Sequence, residues 1–278
     1  WGLSPIFWKA LNQVEAMDIV SCLVICTDIF VSISNSLLRF TRRGKVDHLP
    51  FLRNKLSILG GGLIGLNWGM FVWAVESERV VEASLGYFMN PLMNVFLGVV
   101  FLGEALRKAQ WLAVTFAAAG VLWLTVSLNA FPWVSLTLAI SFALYGLIRK
   151  VAPASPLQGL RVETSVLLIP AVAFVLLRGN ASENLTADNA TVILILLSGA
   201  GTGIPLLLFA SSAKRIPLSI LGILQYITPT IQFLLGVFAY NETFDSNRLI
   251  GYSIIWSGLV IFALDSFRFA SSQDTHEK

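Results

Sequence analysis

The chain has 278 residues, 56% of them hydrophobic and 13% charged, with a formal net charge of +3 and a mean hydropathy of +0.76. So little polar surface cannot clothe a water-soluble globule, which leaves an integral, multi-pass membrane protein whose first partner is the lipid bilayer. The basic excess is then a topology signal, and no nucleic-acid partner is expected.

A bilayer core about 30 Å thick takes roughly 20 apolar residues per helix. The first apolar piece, residues 1–12, is about half a span long at 1.5 Å per residue, and the chain does not open with Met. The first helix is therefore expected to be truncated, with about ten residues missing upstream. Full spans are predicted at 17–39, 55–75, 82–103, 109–127, 132–149, 161–177, 192–212, 218–240 and 248–266. With the truncated one they make ten transmembrane helices in an all-α membrane fold. On that count Lys9, Arg79, Arg178 and Arg248 fall on one side of the membrane and the other fifteen of the 19 Lys and Arg on the opposite side. Basic loops stay inside, so both termini are expected in the cytoplasm.

Residues 91–106, PLMNVFLGVVFLGEAL, lie over residues 229–244, PTIQFLLGVFAYNETF, at an offset of 138. Pro91 meets Pro229, Gly98 meets Gly236 and Glu104 meets Glu242. The same offset pairs Gly61 with Gly199, Gly65 with Gly203 and Gly120 with Gly258. Five helices per copy is an odd number, so the second copy enters the membrane from the other side. The expected organisation is two inverted five-helix repeats, 1–128 and 129–266, around a central cavity, followed by a cytoplasmic tail at 267–278. Alternating-access carriers are often built this way.

Tyr87, Asn90 and Asn94 share one helical face, and the offset of 138 carries them to Gln225, Thr228 and Gln232. Pro91 and Pro229 each remove a backbone donor and displace the carbonyl four residues earlier, that of Tyr87 or Gln225. Two readings stand. In one, the polar stripes line a midplane substrate site, since freed carbonyls and amides in hydrocarbon need protein or a wet cavity. In the other, the amides only join helices by hydrogen bonds. Asp28 is the acid deep within a predicted span, about 17 Å in at 1.5 Å per residue. It is read as a proton-coupling group or as a neutral, hydrogen-bonded or vestibule-facing Asp. Asn67, Trp68, Trp8 and Tyr145 are further cavity candidates, the aromatic ones equally suited to packing or interfacial anchoring.

Other chemistries find no support. His48 lies in a loop and His276 in the tail, Cys22 and Cys26 read as buried thiols, and no phosphate-binding loop or nucleophile with a nearby base is visible. No metal, cofactor or enzymatic activity is expected. Asn180, Asn184, Asn189 and Asn241 each begin an N-x-S/T sequon on the predicted outer side. They are glycosylation sites in a secretory membrane or plain loop residues in a bacterium.

WGLSPIFWK (1–9), NWGMFVWAV (67–75), EASLGYFMNPLMNVFLGVVFLGEAL (82–106), QWLAVTFAAAGVLWL (110–124), LYGLIRK (144–150) and LGILQYITPTIQFLLGVF (221–238) cover most of the chain. In these stretches the sequence resembles the drug/metabolite transporter superfamily, its EamA-type carriers and most closely the RarD group. The resemblance implies ten helices in two inverted repeats and export of small metabolites or drugs across a bacterial inner membrane. One departure is that Cys22 and Leu23 stand where the family usually reads a His-Arg pair, while Asp28 replaces an apolar residue. A cation lost and an acid gained point away from anionic substrates. The expected function is a secondary transporter exporting a small neutral, zwitterionic or cationic substrate. The alternative is a receptor or regulatory subunit that binds a ligand in the same cavity without moving it. A homodimer is left open.

Overall fold

The structure is a computed structural model that describes residues 1–11, 13–41, 55–128, 130–178, 189–240 and 246–274. Among the described residues all regular structure is helical: α1 (Ser4–Ala10), α2 (Ala16–Thr41), α3 (Lys55–Glu76), α4 (Val80–Leu102), α5 (Lys108–Val126), α6 (Trp133–Val151), α7 (Pro156–Arg178), α8 (Asn189–Arg215), α9 (Leu218–Leu224), α10 (Ile227–Leu234) with a π turn at Leu235–Ala239, and α11 (Ser246–Asp274). Nine spans among them are long and apolar enough to cross a membrane, with Leu218–Ala239 counted as one. With the short α1 they give ten helices. Glu242, His48, His276 and the sequon residues Asn180, Asn184 and Asn241 lie outside the described residues, whereas Asn189 is the exposed first residue of α8.

Helix α11 runs on to Asp274, past the predicted end at 266 and into the predicted tail, and two further differences have physical reasons. Helix α7 begins at Pro156 rather than near 161, because Ser155 and Gln158 form a capping box: the Gln158 amide donates to Ser155 Oγ and the Ser155 amide to Gln158 Oε1, each at 3.3 Å. Proline at the first helical position needs no donor there. The Leu218–Ala239 span breaks between α9 and α10, where the amide of Thr228 turns to the carbonyl of Gln225 at 3.0 Å. Pro229, four residues after Gln225, supplies no N–H to continue the α-helical ladder.

The helices group into two compact units, Trp1–Val80 with Ser141–Ile216, and Val81–Ile140 with Pro217–Lys278. In the first unit α2 packs on α7 and α8, and α3 packs on α7. Apolar burial alone does not drive helices together in lipid, so small residues that let backbones approach do much of the work. A Cβ placed on Gly61 would lie 3.1 Å from Cα and O of Glu163, and one on Gly199 would overlap the Cys26 carbonyl. The offset of 138 carries α3 to α8 and α2 to α7, so these two contacts join corresponding helix pairs, one residue out of register because the mate of Cys26 is Thr164. At the far ends of α6 and α8, Lys150 Nζ donates to the carbonyls of Ala213 (3.2 Å) and Ile216 (2.7 Å), and Lys214 Nζ returns the contact to the carbonyl of Ala152.

The second unit is built on the α5–α11 pair. A Cβ on Gly120 would stand 2.7 Å from the carbonyl of Gly251 and 3.2 Å from the amide of Ile255; one on Gly258 would stand 2.6 Å from the carbonyl of Ala113 and 3.4 Å from the amide of Ala117. Ala113 and Ala117 are the offset mates of Gly251 and Ile255, so one contact is made twice. Phe88, Val121, Tyr226 and Ile255 close the core beside it. After α4 the chain turns at Gly103, whose φ of +66° suits glycine. Glu104 then accepts the amides of Leu218 (2.6 Å) and Ser219 (2.8 Å) and the Ser219 hydroxyl (2.7 Å), capping α9 where Pro217 has no side-chain group to do so.

Gly199→Ala should lower the melting temperature of the purified protein, since forced overpacking costs about 1–3 kcal/mol. Gly201→Ala, with nothing within 4 Å of its Cβ, should leave it unchanged or raise it. Glu104→Ala should cost about 0.5–2 kcal/mol, the range for a lost cap, visible in the same thermal unfolding measurement.

Candidate functional site

In the second unit α4 and α9 meet closely, because a Cβ on Gly222 would lie 2.7 Å from the carbonyl of Pro91 and 2.9 Å from Cβ of Asn94. That approach brings three of the predicted polar residues together. Asn94 Nδ2 donates to Gln225 Oε1 at 2.6 Å and to Asn90 Oδ1 at 3.3 Å, and Asn90 Nδ2 donates to the same Gln225 oxygen at 3.4 Å. Asn90 and Asn94 are buried and Gln225 is half-buried. Oδ1 of Asn94 is buried with no hydrogen-bond partner among the described residues. A buried acceptor in that state carries a desolvation cost of about 1–3 kcal/mol, which a donor group could relieve.

Gln225 sits at the junction of α9 and α10, and the residue after it ties the break down: the Tyr226 hydroxyl donates to the carbonyl of Phe88 at 3.1 Å. Tyr226 and Phe88 are themselves related by the offset of 138. Of the other stripe residues, Tyr87 is 38% exposed, and Thr228 and Gln232 are half-buried on α10. The amide cluster is therefore made by Asn90, Asn94 and Gln225, while Tyr87, Thr228 and Gln232 stand on the same elements beside it.

The remaining candidates lie in the first unit. Asp28 is half-buried on α2, and its Oδ1 accepts the hydroxyls of Thr164 (2.8 Å) and Ser165 (3.3 Å) from α7. Asn67 is buried on α3 and donates to Ser141 Oγ at 2.9 Å. Trp68 is half-buried. The ring of Trp8, on α1, lies 6.2 Å from that of Phe71 and packs against the Leu11, Ile19 and Ile195 cluster. Tyr145 is wholly buried, stacked on Phe209 at 6.1 Å with its hydroxyl on Glu163 Oε2 at 3.0 Å.

That last contact exposes a group that the sequence reading passed over. Glu163 also accepts Arg149 Nη1 at 3.0 Å, and both side chains are 1% exposed. Like Asp28, Glu163 is an acid inside a spanning helix. The predicted span 161–177 holds it at the very start; the capping box at Ser155–Gln158 starts α7 earlier and moves Glu163 into its second turn. Among the described residues no group of three or more His, Cys, Asp or Glu is arranged to hold a metal ion.

The model of the EamA-like transporter family matches residues 1–126 and again 132–264. The chain is 42% identical over 276 residues to protein RarD of Streptomyces exfoliatus, covering 97% of this chain and 86% of that protein. It is 39% identical to the uncharacterized transporter YojE of Bacillus subtilis (strain 168), covering 99% and 94%, and 38% identical to protein RarD of Escherichia coli (strain K12), covering 96% and 90%. A crystal structure of a protein aligns with a TM-score of 0.69 over 97% of this chain and 94% of its own, which at 18% identity speaks to the fold alone. Matched almost end to end by the family model and by relatives named as transporters or RarD, the chain belongs to the EamA-like transporter family.

Proposed function

We propose that this protein is a secondary active transporter that exports a small neutral, zwitterionic or cationic metabolite or drug by alternating access, in a bacterial inner membrane with both termini cytoplasmic. The observation that carries the reading is the amide cluster of Asn90, Asn94 and Gln225, placed where the Leu218–Ala239 span breaks and left with an open buried acceptor at Asn94 Oδ1. Amides used only as glue would satisfy one another. Here a ligand donor has an acceptor to reach, and amides and hydroxyls offer no fixed charge to an anion.

In this reading residues 1–128 and 129–266 are inverted repeats, and the correspondence of the Gly61 and Gly199 contacts and of the Gly120 and Gly258 contacts supports an internal two-fold relation. Tyr87, Thr228 and Gln232 extend the polar stripe. In the first unit Trp68, Asn67, Trp8 and Tyr145 are further candidate substrate contacts through stacking or hydrogen bonding, and Asp28, held by two hydroxyls that fit either protonation state, couples flux to protons.

The first test is a thermal-shift screen of amines, neutral amino acids and antibiotics, in which a ligand present at 100 times its Kd stabilises the native state by about 2.7 kcal/mol. Asn94→Leu and Gln225→Leu should weaken binding of the resulting hit by roughly 5-fold or more, the effect of about 1 kcal/mol for a lost hydrogen bond. Unchanged affinity in both variants would remove the cluster from the site. In proteoliposomes containing only this protein, the hit should move across the membrane, whereas binding without translocation would make the protein a receptor. Asp28→Asn should abolish uptake or efflux driven by a pH gradient and spare binding, and undiminished driven flux would discard the coupling role.

A further inference from the structure

The buried Arg149–Glu163 pair joins α6 to α7 inside the first unit, with both side chains 1% exposed. Each carboxylate oxygen of Glu163 takes one donor, Arg149 Nη1 on Oε1 and the Tyr145 hydroxyl on Oε2, both at 3.0 Å. Arg149 is also held independently of Glu163, because its Nη2 donates to the carbonyl of Pro156 at 2.6 Å. Its Nε is buried without a hydrogen-bond partner among the described residues. A structural ion pair in a low-dielectric interior repays its desolvation only when its hydrogen bonds are complete. This one is incomplete.

Two glycines on different helices make room for the pair. A Cβ on Gly60 of α3 would stand 3.1 Å from Glu163 Oε1, and a Cβ on Gly159 of α7 would stand 3.0 Å from Arg149 Cζ and overlap Nη1. The charged and titratable groups facing Glu163 can be named element by element. Helix α6 brings Arg149 and Tyr145. Helix α3 brings the bare backbone of Gly60 and Gly61. Helix α2 brings Asp28 to the neighbouring Thr164, and α8 brings Lys214, within electrostatic reach of Arg149.

We infer that Glu163 is a second proton-carrying carboxyl of this protein, with Arg149 as its permanent counter-charge and Tyr145 as the group that accepts the added proton's hydrogen bond. When a proton from water binds a carboxylate oxygen, Glu163 becomes neutral and the pair passes from no net charge to one positive charge. Arg149 keeps its place on the Pro156 carbonyl. Tyr145, whose hydroxyl both donates and accepts, keeps its contact with the direction reversed. The bonds that tie α6 to α7 thus change strength without being broken.

This inference rests on the carrier reading for its biological meaning, yet proton binding is measurable with no substrate present. Infrared spectroscopy of the protein in proteoliposomes, titrated with acid across the range in which it stays folded, should show a carboxylic-acid carbonyl band that grows as pH falls. The band should vanish in Glu163→Gln and persist in Asp28→Asn. Tyr145→Phe, which keeps the ion pair and guards against a misfolded Glu163 variant, should move the band and its titration midpoint. A band unchanged in both Glu163→Gln and Tyr145→Phe, or no titrating carboxyl band at all, overturns the inference and leaves the carrier reading intact. In the transport arm, Glu163→Gln should lose flux of the thermal-shift hit driven by a pH gradient while equal-pH exchange continues. Failure of any flux in the unaltered protein, with the band present, would instead sink the carrier reading.

Discussion

Every polar group in this molecule that lies inside hydrocarbon must find its partner within the protein, because no water stands ready to replace one. That constraint explains the architecture before any function is considered. It confines the described chain to helices, which satisfy their own backbones. It makes glycine the residue that decides which helices touch, since lipid gives no apolar reward for association. It also makes each polar side chain in a span an account of what faces it: hydroxyls for Asp28, a serine for Asn67 and amides for Gln225.

Against that background the places where satisfaction is incomplete stand out. Among the described residues four buried side-chain atoms lack a hydrogen-bond partner, Asn94 Oδ1 and Arg149 Nε among them. These two belong to networks whose other polar atoms are bonded, so neither reads as a failure of packing. A carrier has to hold groups whose partners change during its cycle, and a fully satisfied interior offers no such group. The two sites differ in chemistry. The amides of Asn90, Asn94 and Gln225 are neutral in every state and suit recognition, while the Glu163 carboxyl can change charge and suits coupling.

Much of the helix plan could be read from hydropathy, because a span is a property of some 20 consecutive residues and tolerates local noise. What resisted was set by single side chains. The stretch APASPLQGLR at 152–161 looks like a loop by hydropathy, but Ser155 and Gln158 start a helix inside it, and the position of Glu163 follows from that start. The two matched prolines show the other limit. Pro229 accompanies a break, while α4 runs unbroken from Val80 to Leu102 through Pro91. The local cost of proline is the same in both. The difference lies in what each helix can lean on, and at the Leu218–Ala239 break the Gln225 side chain and the Tyr226 hydroxyl bond to α4. The amide cluster itself was foreshadowed by the offset of 138, since Asn90, Asn94 and Gln225 all stand on the paired stripes.

The crossed lysines of the first unit carry a consequence for chain direction. Carbonyls left over at the end of a helix form a negative pole, and Lys150 and Lys214 each neutralise the pole of the other's helix. Two negative poles side by side repel unless cations stand between them, so the arrangement is self-consistent only if α6 and α8 finish at the same level. The intervening α7 must then run the opposite way. A pair of ammonium groups thereby records, in local electrostatics, the alternation of up and down that threads this part of the chain through its membrane.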